Sequence, residues 1–265
     1  MLEKEFNCVL NNLDNFKFTS LRYTDFKELE NYDLLLNNDN AIIIYGYNNE
    51  NKLYEYHWAA NKVENLIKNL NKRNNQEKIT FVPKEWVQEL DKLEFDILAI
   101  WNEYVSSNIE SNLNYECLKF IDEGNYKEAS KVTTSCVGKS RGFHGETEEW
   151  MQEWIQGKHP SVPEYVFKSA VVYEETDNQI VGISCVGIYG EENKILWIRE
   201  IAVKPEFQGM GIGRKLIEKA FTYGLKHGAK KSFLMADEIN YNALHLYKAM
   251  GFKANPNECQ IDMIR

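Results

Sequence analysis

The spacing of apolar and polar residues along this 265-residue chain changes several times, and each change predicts an element. Val- and Ile-rich runs at Ala41 to Tyr47 and Lys52 to Ala59, separated by Asn48-Asn49-Glu50-Asn51, predict two strands joined by a turn. A helix over Val63 to Leu70, a strand over Ile79 to Pro83 and a helix over Lys84 to Phe95 follow. Beyond a polar bridge at Ser106 to Asn112, the pattern gives a strand at Tyr115 to Ile121 and helices around Tyr126 to Val132 and Glu148 to Ile155. Strands are expected at Ser169 to Glu174, Gln179 to Tyr189 and Lys194 to Val203. Leu216, Ile217, Ala220, Phe221 and Gly224 recur at helical spacing, with Gly228 as a C-terminal cap. A short strand at Ser232 to Ala236, a helix over Asn242 to Met250 stopped by Gly251, and a last strand at Cys259 to Ile264 complete the pattern.

The two halves differ in glycine, since none occurs between Gly46 and Gly124 and most of the fifteen lie later. Two domains are expected, residues 1–112 and 113–265. A net charge of −9 and a sequence pI near 5.2 argue against nucleic acid as a partner, because neutralising phosphates needs a basic face. Ordinary solubility explains the charge, and a cationic partner or substrate would also suit it. Five scattered cysteines without a C-x-x-C pair, and five histidines without ligand spacing, predict neither a disulfide framework nor a metal site. No run approaches the ~18 apolar residues of a spanning helix, and no signal-like start is visible. The expectation is a cytoplasmic protein without membrane contact; oligomeric state is not legible.

The chemistry concentrates at Gln208-Gly209-Met210-Gly211-Ile212-Gly213, between a predicted strand and a predicted helix. Glycines there let main-chain N–H groups close on phosphate oxygens, and the helix dipole adds partial positive charge. A P-loop would need Gly-Lys-Ser/Thr where the chain has Gly213-Arg214-Lys215, and the Rossmann spacing of glycines is also absent. A pyrophosphate remains the natural guest.

Val203 to Gly213 resembles the acyl-CoA-binding motif of the GNAT superfamily of N-acyltransferases. A second motif, Asn240-x-x-Ala243-x-x-Leu246-Tyr247-x-x-x-Gly251-Phe252, stands where that family would put it. The resemblance implies an α/β fold of the α+β kind over roughly 115–265: a GNAT fold whose mixed, mostly antiparallel sheet is flanked by helices. The first half then reads as a smaller, degenerate GNAT-like unit. Trp58-Ala59-Ala60-Asn61-Lys62 holds the place of its phosphate loop without glycine, so no coenzyme is expected there. Its work is either to wall off an acceptor pocket or purely structural.

The implied activity is transfer of an acetyl group from acetyl-CoA, as cosubstrate and without a metal, to a primary amine of a small molecule or peptide by direct attack in a ternary complex. The alternative is a catalytically silent acyl-CoA-binding regulator. By resemblance the coenzyme contacts are Ile201, Ala202, Val203, Gln208, Gly209, Met210, Gly211, Ile212, Gly213, Arg214, Asn240 and Tyr247. A backbone N–H near Ile201 would steady the thioester oxygen. Asn240 serves equally as a helix N-cap, and Arg214 with Lys215 as a solvated helix face. Tyr247 is the expected general acid to the leaving sulfur, with packing one helical turn from Ala243 as the plainer reading. Glu200 is the only carboxylate near the strand end and the candidate base, with a partner for Arg199 or a water-mediated relay from farther away as the alternatives; a regular strand turns it away from Trp197, Arg199 and Ile201, and a bulge would change that facing. Arg141 to Trp150 lies where the family places acceptor-binding segments, with a capped, solvated helix start as the plainer reading, and the Trp150/Trp154 pair reads as core.

Overall fold

The structure, a computed structural model, describes residues 1–24, 26–49, 51–70, 74–138, 140–141, 143–158 and 166–265. In chain order the elements are α1 (Glu3–Asn12), β1 (Phe18–Thr19), α2 (Phe26–Leu29), β2 (Asp33–Asn37), β3 (Ala41–Asn48), β4 (Leu53–Ala60), α3 (Val63–Ile67), β5 (Glu77–Ile79), α4 (Val87–Asp91) and β6 (Asp96–Ser106). They continue as α5 (Tyr126–Thr134), α6 (Glu148–Ile155), β7 (Val166–Thr176), β8 (Gln179–Tyr189), β9 (Ile195–Val203), α7 (Ile212–Lys226), β10 (Lys231–Asp237), α8 (Tyr241–Ala249) and β11 (Lys253–Ile264).

The chain forms two compact units, Met1–Ile100 with Gln260–Arg265, and Trp101–Cys259. The division falls at 100/101, earlier than the 112/113 read from the sequence, because Trp101 to Ser106 pair residue for residue with Asp237 to Ser232 on β10. The expected last strand likewise passes to the first unit, where Met263 and Ile264 pair with Ile79 and Lys78 on β5.

In the first unit β2, β3 and β4 form an antiparallel meander, and β5 joins β4 in parallel over Tyr54 to Tyr56. The expected helix over Lys84 to Phe95 is a 3₁₀ turn, Lys84–Trp86, then the short α4, closed off where Glu94 takes a left-handed φ of 65°. Beyond the parallel pairing the Trp58 indole N–H donates to the Thr80 carbonyl at 2.9 Å, satisfying both groups in the core.

In the second unit the strands run β6 (from Trp101), β10, β9, β8, β7, with β9 and β10 parallel and the other pairs antiparallel. Ala129 and Val132 of α5 and Met151 and Trp154 of α6 pack with Ile183, Cys185 and Ala202 on one face. Ile217, Ala220 and Phe221 of α7 and Tyr247 of α8 pack with Val186, Leu196 and Ile198 on the other. Leu216 and Ile217 are fully buried, each worth about 1.5–3 kcal/mol relative to exposure, and they anchor the 15-residue α7 on the sheet. Tyr115 to Ile121 is not a strand. Asn114 caps a 3₁₀ turn at Tyr115–Cys117, and Phe120 makes only an isolated bridge to Val172. No helix among the described residues is long and apolar enough to cross a membrane, and no group of three or more His, Cys, Asp or Glu there is placed to hold a metal ion.

Candidate active site

The site begins where two parallel strands part. β9 and β10 pair only at Ile195/Lys231, Leu196/Ser232 and Trp197/Phe233. Beyond them Ile198 to Val203 stay paired with β8, and Leu234 to Asp237 with β6, so a wedge opens between the strand ends. Such a split leaves backbone groups of both strands without sheet partners, a surface suited to an extended, amide-bearing ligand.

At the mouth of this wedge β9 turns through a 3₁₀ segment, Pro205–Phe207, into the glycine loop and α7. Gln208 to Gly211 are exposed. Gly209 and Gly211 have φ of 79° and 78°, which side-chain-bearing residues rarely adopt, and Gly211 is the N-cap of α7. The first helical hydrogen bond runs from the Lys215 N–H to the Gly211 carbonyl at 3.2 Å, so the N–H groups of Ile212, Gly213 and Arg214 have no intrahelical acceptor. They converge at the positive end of a four-turn helix, the electrostatic complement of a phosphate. Gly213 owes its smallness to packing as well, since a Cβ there would stand 2.8 Å from the Leu246 Cδ2 on α8. Ile212 is buried, whereas Met210 and Arg214 are exposed, and the Arg214 guanidinium touches the Met250 sulfur at 3.2 Å. The loop is tied back to the strand by the Gln208 side-chain amide, which donates to the Val203 carbonyl at 2.9 Å. The Cys136 thiol donates to that same carbonyl.

Inside the wedge the regular alternation of β9 is broken. Cys185 pairs with Glu200 but Val186 with Ile198, leaving Arg199 as the extra residue of a β-bulge. Ile198 and Ile201 therefore both pack on the α7 side, Ala202 packs on the α5 side, and Glu200 turns to the same side as Arg199 and Trp197, correcting the facing expected of a regular strand. Burial pushes the Glu200 carboxyl up to about 8; Glu146 adds to the rise, and Arg199 opposes it. Its oxygen accepts the Ile201 N–H at 3.0 Å. The backbone donor expected to steady a thioester oxygen is thus engaged by Glu200 itself.

Tyr247 reaches the site from α8, buried and edge-on to Phe252 at 6.0 Å between centroids. Burial, and then the Glu200 charge, hold its phenol well above the ordinary range. The two groups the sequence named as acid and base are therefore within electrostatic reach of each other.

The decisive comparison follows this geometry: residues 139–252 match the family model described as the acetyltransferase (GNAT) family. Over that stretch the chain carries a GNAT-family domain. An uncharacterised N-acetyltransferase of Archaeoglobus fulgidus is 36% identical over 91 residues, 32% of this chain and 61% of that protein. The streptothricin acetyltransferase of Streptomyces lavendulae is 36% identical over 76 residues, 29% of this chain and 40% of that one. The chain thus spans less than two thirds of the length of either relative. In fold it is similar to a GNAT-family acetyltransferase of Colwellia psychrerythraea (TM-score 0.57, 10% identity, covering 100% of this chain and 97% of the other). It is similar as well to a GCN5-related N-acetyltransferase of Sphaerobacter thermophilus (TM-score 0.57, 11% identity, 85% and 76% covered).

Within the GNAT domain Asn240 is the N-cap of α8: its carbonyl accepts the Ala243 N–H at 3.3 Å, and its amide donates to Ser140 at 3.0 Å. Arg141, read from the sequence as part of an acceptor segment, instead clamps Asp237 at the end of β10. Its guanidinium lies 2.7 Å from a carboxylate with no exposed side-chain surface, and its own N–H donates to the other oxygen at 2.7 Å. Burial would raise the Asp237 carboxyl, but these Arg141 contacts hold it below the usual range. Gly142 of that segment lies outside the described residues. Asp237 and Glu146 were missed by sequence reasoning; a lone acid ending a buried strand was the available signal for Asp237. Trp150 and Trp154 stack at 5.1 Å with an 8° tilt, Trp154 in the core and Trp150 at its edge.

Proposed function

We propose that the chain transfers an acetyl group from acetyl-CoA to a primary amine of a small molecule or peptide, by direct attack in a ternary complex. The observation that carries this reading is the wedge between β9 and β10 with an anion-competent helix start at its mouth and a half-buried carboxylate of raised proton affinity inside. The streptothricin acetyltransferase among the relatives points to an amine acceptor. Acetyl-CoA would supply the activated acetyl thioester. The N–H groups of Ile212 to Arg214 would hold its pyrophosphate, with Gly209, Met210 and Gly211 shaping the approach and Gln208 bracing the loop. Ile201, Ala202 and Val203 would line the pantetheine arm along the unpaired edge of β9, and Asn240 would border it from α8.

An alkyl ammonium must lose a proton before it can attack. Glu200, with an affinity for protons near pH 8, takes that proton; a carboxylate at its ordinary value would hold it too weakly at neutral pH. Tyr247, kept protonated by burial, donates to the departing sulfur. Residues 1–112 read as a degenerate GNAT-like unit: β4 and β5 repeat the short parallel pairing, and Trp58 takes up the carbonyl that follows it. A cytoplasmic setting suits five free cysteines.

The test is amine-dependent release of coenzyme A from acetyl-CoA across a panel of primary amines. Acetylated products are read by mass spectrometry, because the exposed Cys8, Cys117 and Cys259 would consume a thiol reagent. Acetylation of at least one amine class is expected. Tight acetyl-CoA binding by calorimetry with no acetylated amine anywhere in the panel would favour the silent regulator and overturn the enzyme.

A further inference from the structure

The bulge in β9 puts Arg199 and Glu200 on one face of the sheet, next to each other, where a regular strand would oppose them. The Arg199 guanidinium thereby lies between two carboxylates, 3.3 Å from Glu146 and 3.9 Å from Glu200, with its Cζ 5.3 Å from the centroid of the Trp150 ring. The closer partner is also the more firmly mounted. The Glu146 N–H donates to the Thr133 hydroxyl at 2.9 Å, and its carbonyl accepts from Ser130 at 2.7 Å and Thr133 at 3.3 Å, all from α5. Gly145 before it has a φ of 79°, and a Cβ there would meet the Thr134 backbone at 2.7 Å, so the loop can lie this close to α5 only with glycine. Thr147 after it caps α6 through the Trp150 N–H at 3.1 Å. Five hydrogen-bonding and steric constraints thus aim one carboxylate at one guanidinium.

We propose that Glu146 is a positioning residue of the active site: by engaging Arg199 it keeps that guanidinium from closing on Glu200, leaving Glu200 available to take the acceptor's proton. This inference rests on the reading of Glu200 as the base. Among the described residues the groups that act on Glu200 are Arg199 beside it, Glu146 from the α5–α6 connection, the buried Cys185 thiol from β8 and Tyr247 from α8. Of the two charges nearest it, Arg199 favours the ionised form and Glu146 the protonated one. Neutralising Glu146 both removes a like charge and frees a counter-ion, and the two effects act in the same direction.

The experiment compares the full-length chain with its E146Q, E146D and R199M variants by two readouts. The first is a ¹³C NMR titration of glutamate carboxyls without substrates, with the Glu200 signal assigned by its loss in E200Q. The second is the pH profile of kcat/KM. In E146Q the Glu200 midpoint should fall by about one pH unit or more, with the acidic limb of the profile following; E146D should restore it, and R199M should raise it. A Glu200 midpoint unchanged in E146Q would overturn the positioning role, whatever R199M and the activity show. A midpoint that moves while the rate profile stays fixed would uphold the positioning and remove Glu200 as the base. If E146Q does not fold, E146M takes its place in the same titration, with the same downward shift expected and an unchanged Glu200 midpoint counting against the role.

Discussion

Replacing Glu200 by glutamine should make the protein more stable at high pH while removing its activity. The side chain is 17% exposed and its proton affinity is raised from an ordinary carboxyl to about 8. Below about pH 4.5 the group is protonated both folded and unfolded, and contributes no difference. Between about 4.5 and 8 the unfolded chain ionises while the folded one keeps its proton, so folding stability falls by about 1.4 kcal/mol per pH unit. Above 8 both forms are ionised, and the accumulated loss levels off at about 5 kcal/mol. Glutamine has nearly the same shape, keeps an oxygen for the Ile201 N–H and carries no charge, so the variant escapes this loss. The assay is chemical denaturation of wild type and E200Q from pH 4 to 9.5, taking the difference between the two curves, in which every titration common to both cancels. The gap should open from pH 5 to 8 and then hold, with a loss of kcat of about 10²–10⁴-fold at pH 8. Parallel stability curves would show that Glu200 titrates as a surface carboxyl, and the argument for it as a base would fall with them.

Gly211→Asp places a charged side chain on a residue whose φ is 78°, at the phosphate end of α7, and should abolish acetyl-CoA binding in calorimetry; unchanged affinity would reject the loop as the site. Tyr247→Phe should keep coenzyme affinity and lower turnover by about 10–10⁴-fold, and a wild-type kcat with chemistry limiting would remove the phenol from the mechanism. Arg141→Met strands the buried Asp237 charge and should cost about 3–5 kcal/mol by thermal or chemical denaturation, with R141M/D237N recovering part of it; equal stability of the two variants would argue that the pair is incidental.

Much of this site was legible because local rules decide it. The glycine loop needs only backbone conformation and a following helix, and Tyr247 is placed by the spacing of one short helix. The span of β9 was legible for a similar reason, its apolar positions being paired on both flanks at their start. The facing of Glu200 was not, because a bulge at Arg199 adds one residue to the strand without any proline or glycine to announce it. Asp96–Ser106 escaped notice as a strand because it is buried on neither face: most of its residues are half-buried, so no period-two pattern appears. Tyr115 to Ile121 shows the reverse error, a mixed apolar run with strand-like composition that Asn114 and a 3₁₀ turn claim first. The Arg141–Asp237 clamp joins residues 96 apart, a distance over which charge pattern carries no signal.

The first unit begins before the second and is finished after it. Glu77, a fully buried carboxylate on β5, accepts hydroxyl hydrogen bonds from Tyr45 and Tyr56, but its balancing charge is Arg265, 188 residues later. While the chain is being synthesised, β5 therefore has an empty edge and an uncompensated anion until the segment Gln260–Arg265 has left the ribosome. All of Trp101–Cys259 emerges during that interval, so the second unit has its complete sequence first. A domain whose closing strand arrives this late folds through a contact of very high sequence separation, the slow kind. Until then the β5 edge keeps backbone N–H and C=O groups open to wrong pairing.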